Sequence, residues 1–248
     1  MVSGFGAAER SRVEAALTMA HVDIASLVQL SGTTDVLVVL PGQDLPAVYI
    51  RGQIVEQDLA VLADRMCDSN LIIFAGSRHE NFRKMVLQKV KDVSDTMFIF
   101  SPSYSIYDFS HDELTTFMIA SDITIVNEHE AKYLVQLLSK SGNTDLMRLP
   151  KRGGIVTLGP RGVDMFRDGQ VDHVVSISGR EEDVIGAGEA FLAGFIHEYI
   201  NSGTWERSAM VGCAVAAQVV RANPKQVRAM IEVERLRKDI SSLSSLAV

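Results

Sequence analysis

Apolar positions along the chain follow two spacings, and their alternation predicts the order of the elements. Short, continuous apolar runs of the kind found in buried strands alternate with stretches in which apolar residues recur every three or four positions, as in amphipathic helices. The predicted strands lie within residues 35–40, 47–52, 70–76, 96–101, 122–126, 153–159 and 162–175. The predicted helices cover residues 9–21, 54–66, 79–93, 111–120, 128–140, 187–200, 204–221 and 225–240. This alternation predicts an α/β fold with a mostly parallel central sheet flanked by helices.

Two segments depart from the strand–helix alternation, and each predicts a β-hairpin. In residues 33–52, two apolar runs are separated by the turn-rich PGQDLP, which is typical of a hairpin that forms a lid or a small subdomain. In residues 162–175, the dipeptide Asp168-Gly169 joins two further runs and is a strong hairpin-turn signal.

Length and charge limit the classes of function. A chain of 248 residues is long enough for one large domain, expected here over residues 1–248. A net charge of −7 without a basic run argues against nucleic acid as a partner. The sequence has neither a long apolar run nor a signal-peptide pattern, so no membrane association is expected. Its two cysteines, far apart, are typical of a cytoplasmic protein.

The most informative segment for chemistry is EEDVIGAGEAFLAGF, residues 181–195. Gly186, Ala187 and Gly188 stand where a predicted helix begins, so unpaired backbone N–H groups and the helix dipole can hold a phosphate or a developing oxyanion there. Glu189, in the first turn, is a candidate general base. A structural explanation stays equally open, because small residues also permit close packing and an early glutamate suits the dipole.

Two further segments place polar residues where strands are predicted to end. In GGIVTLGPRG, Thr157 and Gly159 lie at the carboxyl end of a strand, where open α/β sheets bind ligands, but for this segment alone a plain strand and turn is the favoured explanation. In DITIVNEHE, Asn127 and Glu130 are spaced as a helix capping box. A carboxylate that orders water or a metal ion is the functional alternative for Glu130.

Other residues with reactive or aromatic side chains give weaker signals. The six histidines are scattered, and no pair has the spacing of metal ligands on one face. Tyr104 and Tyr107 follow a predicted strand, and two roles remain open for them: lining a ligand cleft, or packing within a loop.

Taken together, three segments resemble the motifs of the PfkB, or ribokinase-like, kinases. NEHE (127–130), TLGPRG (157–162) and DVIGAGEAF (183–191) are similar to N-x-x-E, T-L-G-x-x-G and D-T-x-G-A-G-D-A-F, in the family's order. The resemblance covers most of the chain, and SPSYSIYDF and WERSAMVGCAVAAQVV are most similar to the prokaryotic nucleoside-kinase branch. It implies a ribokinase-like fold, with residues 33–52 as a remnant of the β-lid.

The resemblance also implies an activity, namely ATP-dependent transfer of a phosphoryl group to an alcohol of a sugar or nucleoside. Residues 122–248 would form the nucleotide-binding half, and Glu130 would organise Mg²⁺ through water. Gly186 to Gly188 would form the anion hole, and Glu189 would take the proton. A monovalent cation and a homodimer are compatible with the family. The residues that the resemblance assigns to the nucleotide are Asn127, Thr157, Gly159, Gly162 and Asp183.

Three departures from the family pattern bear on activity. Glu189 replaces the family's Asp, and the added methylene displaces the carboxylate by roughly 1 Å, an error that can cost about 10²-fold in rate. Ser101 stands where the family often has Asp. Residues 4–24 resemble a helical segment that the family places after its first strands. The N-terminal strand with its sugar-binding Asp, and the Gly-Gly-rich motif, therefore have no counterpart here.

The missing motif leaves open a wrongly assigned start at Met1, a partner subunit, or degeneration. The departures also keep a second hypothesis open, a non-catalytic ribokinase-like protein that binds nucleotide or serves as a regulatory subunit. The kinase is the leading hypothesis. Because the segments assigned to ATP and Mg²⁺ are recognisable and the three departures fall on the catalytic or acceptor side, nucleotide binding is a safer prediction than turnover.

Overall fold

The computed structural model describes most of the chain from residue 55 onward and short segments before it. The described residues are 4–6, 14–15, 18, 28–30, 36–39, 47–50, 55–66, 69–93, 95–138, 146–176 and 186–221. The helix predicted at 225–240 lies outside them. The chain divides into two compact units, one formed by Met1–Ile72 with Ser77–Thr96 and the other by Ile73–Gly76 with Met97–Val248.

The first unit contains two strand pairs and two helices. Its elements are β1 (Gly4–Gly6), β2 (Val28–Leu30), β3 (Val36–Val39), β4 (Ala47–Ile50), α1 (Glu56–Met66) and α2 (Glu80–Asp92). Strands β3 and β4 are antiparallel, which confirms the predicted β-hairpin within residues 33–52. Helices α1 and α2 pack through Leu59 and Leu62 against Phe82 and Met85.

The parallel pair of β1 and β2 corrects one expectation. Residues 4–6 form a strand that pairs with residues 28–30, whereas the resemblance places them at the start of a helical segment. Glu14, Ala15 and Thr18 are helical, in agreement with the helix predicted at 9–21. The hydrophobic pattern predicts neither strand, because a run of three residues is too short to show a period of two.

The second unit is built on a six-stranded mixed sheet in the order β10-β9-β8-β7-β6-β5. The first two residues of β5 are assigned to the first unit. The strands are β5 (Leu71–Phe74), β6 (Met97–Phe100), β7 (Ile123–Asn127), β8 (Gly153–Thr157), β9 (Val163–Arg167) and β10 (Gln170–Val174). The helices are α3 (His111–Ala120), α4 (Glu128–Leu138), α5 (Ala187–Ser202) and α6 (Trp205–Arg221). Strands β6, β7 and β8 are parallel, and β9 and β10 form the predicted antiparallel hairpin. The predicted α/β class is thus confirmed.

A cluster of phenylalanine rings forms part of the core of the second unit. Phe117 of α3 lies at its centre, with ring centroids 4.9 Å from Phe100, 5.2 Å from Phe74 and 5.4 Å from Phe109. All four side chains are buried, and each stabilises the fold by roughly 1.5–3 kcal/mol through the apolar surface removed from water. The cluster fixes the carboxyl end of β6 and the segment that follows it.

Helices α5 and α6 approach each other at two glycines. A Cβ on Gly194 would lie 3.0 Å from the Cα of Gly212 and 2.9 Å from a methyl carbon of Val215. A Cβ on Gly212 would lie 2.8 Å from the ring of Phe191. The close contact leaves α5 little freedom to shift against α6, and so it determines where the first turn of α5 lies.

Candidate active site

Two of the sequence motifs lie side by side at one edge of the sheet. Asn127 is the last residue of β7 and Thr157 the last of β8, and the two are partners in the parallel register. The NEHE segment and the TLGPRG loop therefore leave the sheet from the same edge. Carboxyl ends of parallel strands are where open α/β sheets bind ligands.

The start of α4 is closed by a reciprocal capping box between Asn127 and Glu130. The backbone N–H of Glu130 donates to Oδ1 of Asn127 at 2.9 Å. In return, the carboxylate of Glu130 accepts from the backbone N–H of Asn127 at 3.0 Å and from its Nδ2 at 2.7 Å. The predicted capping box is confirmed. The cap holds both carboxylate oxygens of Glu130 in one orientation. Glu130 can therefore cap the helix and also order water or a metal ion.

Glu130 is a buried carboxyl group, with 7% of its surface exposed. Burial is the main cause that raises its pKa above the ordinary value, and the negative charge of Glu189 adds to the rise. Hydrogen bonds from Asn127 and the charge of the nearby His129 lower the pKa of Glu130. The charge of Glu189, from α5, is thus felt at Glu130, so two motifs 59 positions apart in sequence contribute carboxylates to one region.

The start of α5 is open where the start of α4 is closed. Gly186, the N-cap, has a φ of 83°, a left-handed conformation that a side chain would strain, and among the described residues no side chain caps this helix. A Cβ on Gly188 would meet no atom of the described residues within 4 Å, and Glu189 is exposed. The first N–H groups of a helix have no acceptor within it, so this end can bind an anion.

The TLGPRG loop is held by its own backbone. The N–H of Leu158 donates to the carbonyl of Gly162 at 2.8 Å, and the N–H of Gly162 donates to the carbonyl of Gly159 at 3.0 Å. Gly162 has a φ of 102°, and a Cβ there would lie 2.0 Å from the carbonyl oxygen of Val174. Gly162 is therefore required by its packing, whereas Gly159 borders open space and Thr157 is half-buried.

An ion pair between two motifs has no counterpart in the sequence-based predictions. Arg161 of the TLGPRG loop donates to the carboxylate of Glu128 at 2.5 Å, and Lys132 lies 2.9 Å from the same carboxylate. The hydrogen bond from Lys132 and then that from Arg161 lower the pKa of Glu128. The spacing of Glu128 and Lys132 on one helix could indicate their pair, but no local pattern reveals Arg161.

Tyr107 interacts with Glu130 and with two other tyrosines. Tyr104 and Tyr107 belong to the 3-10 helix Ser103–Asp108 after β6, and Tyr133 belongs to α4. The rings of Tyr107 and Tyr133 meet edge to face, with centroids 4.8 Å apart. Burial, then the charges of Glu130, Tyr104 and Tyr133, raise the pKa of Tyr107. Tyr133 is absent from the sequence-based candidates, although it lies one helical turn after Glu130 and so shares its face.

The structure thus brings most candidate residues of the three motifs to this side of the second unit. Asn127, Glu130 and Thr157 lie at the sheet edge, Gly159 and Gly162 lie in the loop after β8, and Glu189 acts electrostatically on Glu130. Asp183 lies outside the described residues.

The site fits the groups that the resemblance implies. The glycine-lined start of α5 can accept a phosphate, since Gly188 has open space around it. Glu130 fits an indirect role toward Mg²⁺, because each of its oxygens already accepts a hydrogen bond from Asn127. Among the described residues, no three His, Cys, Asp or Glu side chains form a metal-binding group.

No helix in the described part of the chain is long and apolar enough to cross a membrane.

Solved structures with the same fold include kinases of both sugars and nucleosides. Burkholderia thailandensis nucleoside kinase in complex with inosine superposes with a TM-score of 0.83, at 16% identity, over 97% of this chain and 82% of that one. Fructokinase from Xylella fastidiosa with bound ATP superposes with a TM-score of 0.80, at 14% identity, over 97% and 85%. At these identities the likeness establishes the ribokinase-like fold.

A curated relative is similar in sequence as well. The nucleoside kinase of Thermoplasma acidophilum is 33% identical over 122 residues, which are 49% of this chain and 40% of that protein. The chain thus spans less than half the length of this relative in the match. The family model described as pfkB family carbohydrate kinase matches residues 1–227, most of the chain. The chain therefore belongs to the pfkB family of carbohydrate kinases.

Proposed function

We propose that the protein is an ATP-dependent phosphotransferase that phosphorylates an alcohol group of a sugar or a nucleoside. One observation carries the proposal. The negative charge of Glu189, which stands exposed at a glycine-lined helix start, helps to raise the pKa of the buried carboxyl group of Glu130. Phosphoryl transfer depends mainly on positioning and on charge stabilisation, and this arrangement has groups for both.

Glu189 is the proposed general base. Its carboxylate is exposed in the first turn of α5, beside the N–H groups that would face the transferred phosphoryl group. As the oxygen of the alcohol forms its bond to the γ-phosphorus, the bond from that phosphorus to the leaving ADP oxygen breaks, and the alcohol proton passes to Glu189. General-base catalysis of this kind contributes about 10²–10⁴-fold to the rate.

The start of α5 is the proposed anion hole. Gly186, Ala187 and Gly188 place backbone N–H groups and the positive end of the helix dipole there without side-chain bulk. Mg²⁺, when bound, supplies positive charge to the phosphates. Glu130, held by Asn127, would orient the water molecules of that ion, which is why its own oxygens need no direct contact with the metal.

The nucleotide is proposed to lie along the sheet edge toward β8. Thr157, Gly159 and Gly162 follow that strand, Asn127 stands beside Thr157, and Asp183 precedes the anion hole in sequence. The ATP-bound fructokinase of the same fold supports ATP as the donor. The monovalent cation, the homodimer and the cytoplasmic location stay predictions.

Both acceptor classes have support among similar proteins, and the non-catalytic alternative has no observation in its favour. The nucleoside kinase structure contains inosine, and the similar protein of Thermoplasma acidophilum is also a nucleoside kinase. The similar fructokinase supports a sugar.

The test is a phosphotransfer screen with ATP and Mg²⁺ over sugars and nucleosides, run with the wild type and two variants. Glu189→Asp restores the shorter side chain of the family motif and is expected to raise turnover. Glu189→Gln, which keeps the size but cannot accept the proton, is expected to remove about 10²–10⁴-fold of it. Calorimetric titration with ATP and Mg²⁺ provides the control for nucleotide binding. ATP binding without turnover on any acceptor would contradict the proposal, and equal turnover in all three proteins would remove Glu189 from the mechanism.

A further inference from the structure

The turn after β6 presents two aromatic rings to solvent, and one of them, Tyr107, lies within the electrostatic range of Glu130. Tyr104 is 49% exposed and Tyr107 is 53% exposed, although both follow the buried strand β6 directly. Burying such rings against a ligand would remove apolar surface from water. Their exposure therefore leaves them available for stacking.

The two rings are positioned by the fold. The phenylalanine cluster around Phe117 anchors the carboxyl end of β6, and Phe109, the residue that ends the turn, belongs to that cluster. On the other side, Tyr107 contacts the ring of Tyr133 edge to face at 4.8 Å. Such aromatic pairs contribute beyond the area they bury, so Tyr133 holds Tyr107 in place.

The order of strands tells which side of the site the tyrosines occupy. Along the carboxyl edge of the sheet, the TLGPRG loop follows β8, Glu130 follows β7, and the tyrosine turn follows β6. Tyr104 and Tyr107 thus lie across Glu130 from the loop assigned to the nucleotide. The phosphates would lie between the loop and the tyrosines, near the carboxylates of Glu130 and Glu189. The tyrosines therefore border the side that remains for the acceptor.

We propose that Tyr104 and Tyr107, supported by Tyr133, form an aromatic wall that selects a nucleoside, by stacking on its base, over a free sugar. The inference rests on the proposed phosphotransfer function for the place of the acceptor. A planar heteroaromatic base offers a face that matches a tyrosine ring, and stacking of this kind is sequence-tolerant, so the wall would accept more than one base.

The experiment measures binding and turnover separately, with inosine and ribose as probes. Calorimetry with the wild type is expected to show binding of inosine and much weaker binding of ribose. Tyr107→Ala and Tyr104→Ala are each expected to weaken inosine binding, and to raise its KM, by about 5- to 150-fold, the range for loss of one stacking contact. The KM for ATP is expected to stay unchanged, which separates loss of the wall from damage to the whole site.

Two further variants distinguish a stacking role from a merely structural one. Tyr107→Phe keeps the ring without the hydroxyl group and is expected to bind inosine as the wild type does. Ile200→Ala, an exposed apolar residue in the last turn of α5, is the matched control and is expected to change nothing. Thermal unfolding of each variant checks the fold, and if Tyr107→Ala does not fold, Tyr104→Ala decides.

The outcomes also separate this inference from the proposed function. Inosine binding that depends on the tyrosines, without any phosphotransfer, would support the aromatic wall and contradict the proposed kinase activity. Phosphotransfer that does not depend on Tyr104 or Tyr107 would support the proposed kinase activity and contradict the aromatic wall. Ribose binding as tight as inosine binding, or no inosine binding at all, would also overturn the inference.

Discussion

The two helices that begin at the candidate site start in opposite ways. At α4, side chain and backbone of Asn127 and Glu130 exchange three hydrogen bonds, and Glu130 is buried. At α5, the N-cap is a left-handed glycine, no side chain of the described part of the chain caps the helix, and both Gly188 and Glu189 are exposed. The first start satisfies its own polar groups, and the second leaves backbone donors for another molecule.

The difference teaches how one sheet edge can hold a fixed carboxylate and an adaptable anion site together. A capped helix start is stable, so Glu130 keeps one orientation. An uncapped start costs stability but keeps its N–H groups available to a phosphate. We therefore expect loss of the Asn127 cap at α4 to lower the stability of the protein, whereas a change of charge at Glu130 or a substitution at the start of α5 should lower its activity.

The largest effect is expected from Gly188→Val. A Cβ at this position would meet no atom of the described residues within 4 Å, so the new side chain is accommodated and the thermal midpoint should change little. The side chain would occupy the place of the phosphoryl group, and the loss of such stabilisation typically lowers kcat by about 10²–10³-fold. Steady-state kinetics on the best acceptor from the screen measures the change. Ala193→Val, exposed on the same helix, is the control, and equal kinetics for the two variants would show that the start of α5 binds no phosphate.

The next effect is expected from Glu130→Gln. The substitution removes the negative charge that would orient metal-bound water, and losses of such outer-sphere groups cost about 10–100-fold in metal affinity or activity. The rate should therefore half-saturate at a higher Mg²⁺ concentration, measured by titrating MgCl₂ at fixed ATP. An unchanged Mg²⁺ dependence would mean that Glu130 serves only as part of the helix cap.

A smaller effect is expected from Asn127→Ala. The variant loses the acceptor for the N–H of Glu130 and one donor to its carboxylate, which should lower the free energy of unfolding by about 0.5–2 kcal/mol. Urea unfolding measures this loss, and Asn127→Ser, which can still cap the helix, should recover part of it. If Asn127→Ala lost activity without losing stability, the start of α4 would serve activity rather than stability, contrary to the expected difference between the two helix starts.

The smallest effect concerns the electrostatic link between the two starts. Because the pKa of Glu130 is raised in the folded protein, mainly by burial and further by Glu189, its contribution to stability is full below its ordinary pKa of 4.5 and is lost as pH rises through the folded value. The stability of the wild type relative to Glu130→Gln should fall across that window. With Glu189→Gln as the background, the folded pKa of Glu130 should be lower and the fall smaller. Urea unfolding between pH 4 and 8 measures both, and identical curves in the two backgrounds would show that the carboxylates are uncoupled.

The sequence predicts well what depends on local patterns. Strands β5 to β10 and helices α1 to α6 follow from apolar periodicity, and the Asn127–Glu130 cap follows from spacing alone. Strands β1 and β2 do not, because they are only three residues long. The contact of Arg161 with Glu128 and that of Tyr107 with Tyr133 join residues 33 and 26 positions apart. Such contacts depend on the order of strands in the sheet, which a single sequence does not contain as a local signal.

The glycine at position 188 has a cost in helix stability that packing does not require. In a helix, alanine is more favourable than glycine by up to about 1 kcal/mol, and a Cβ here would meet no atom of the described residues within 4 Å. Gly194 and Gly212 differ, because packing alone forbids a larger side chain at either of them. The start of α5 is thus less stable than its surroundings would permit, a loss that the proposed phosphate site accounts for.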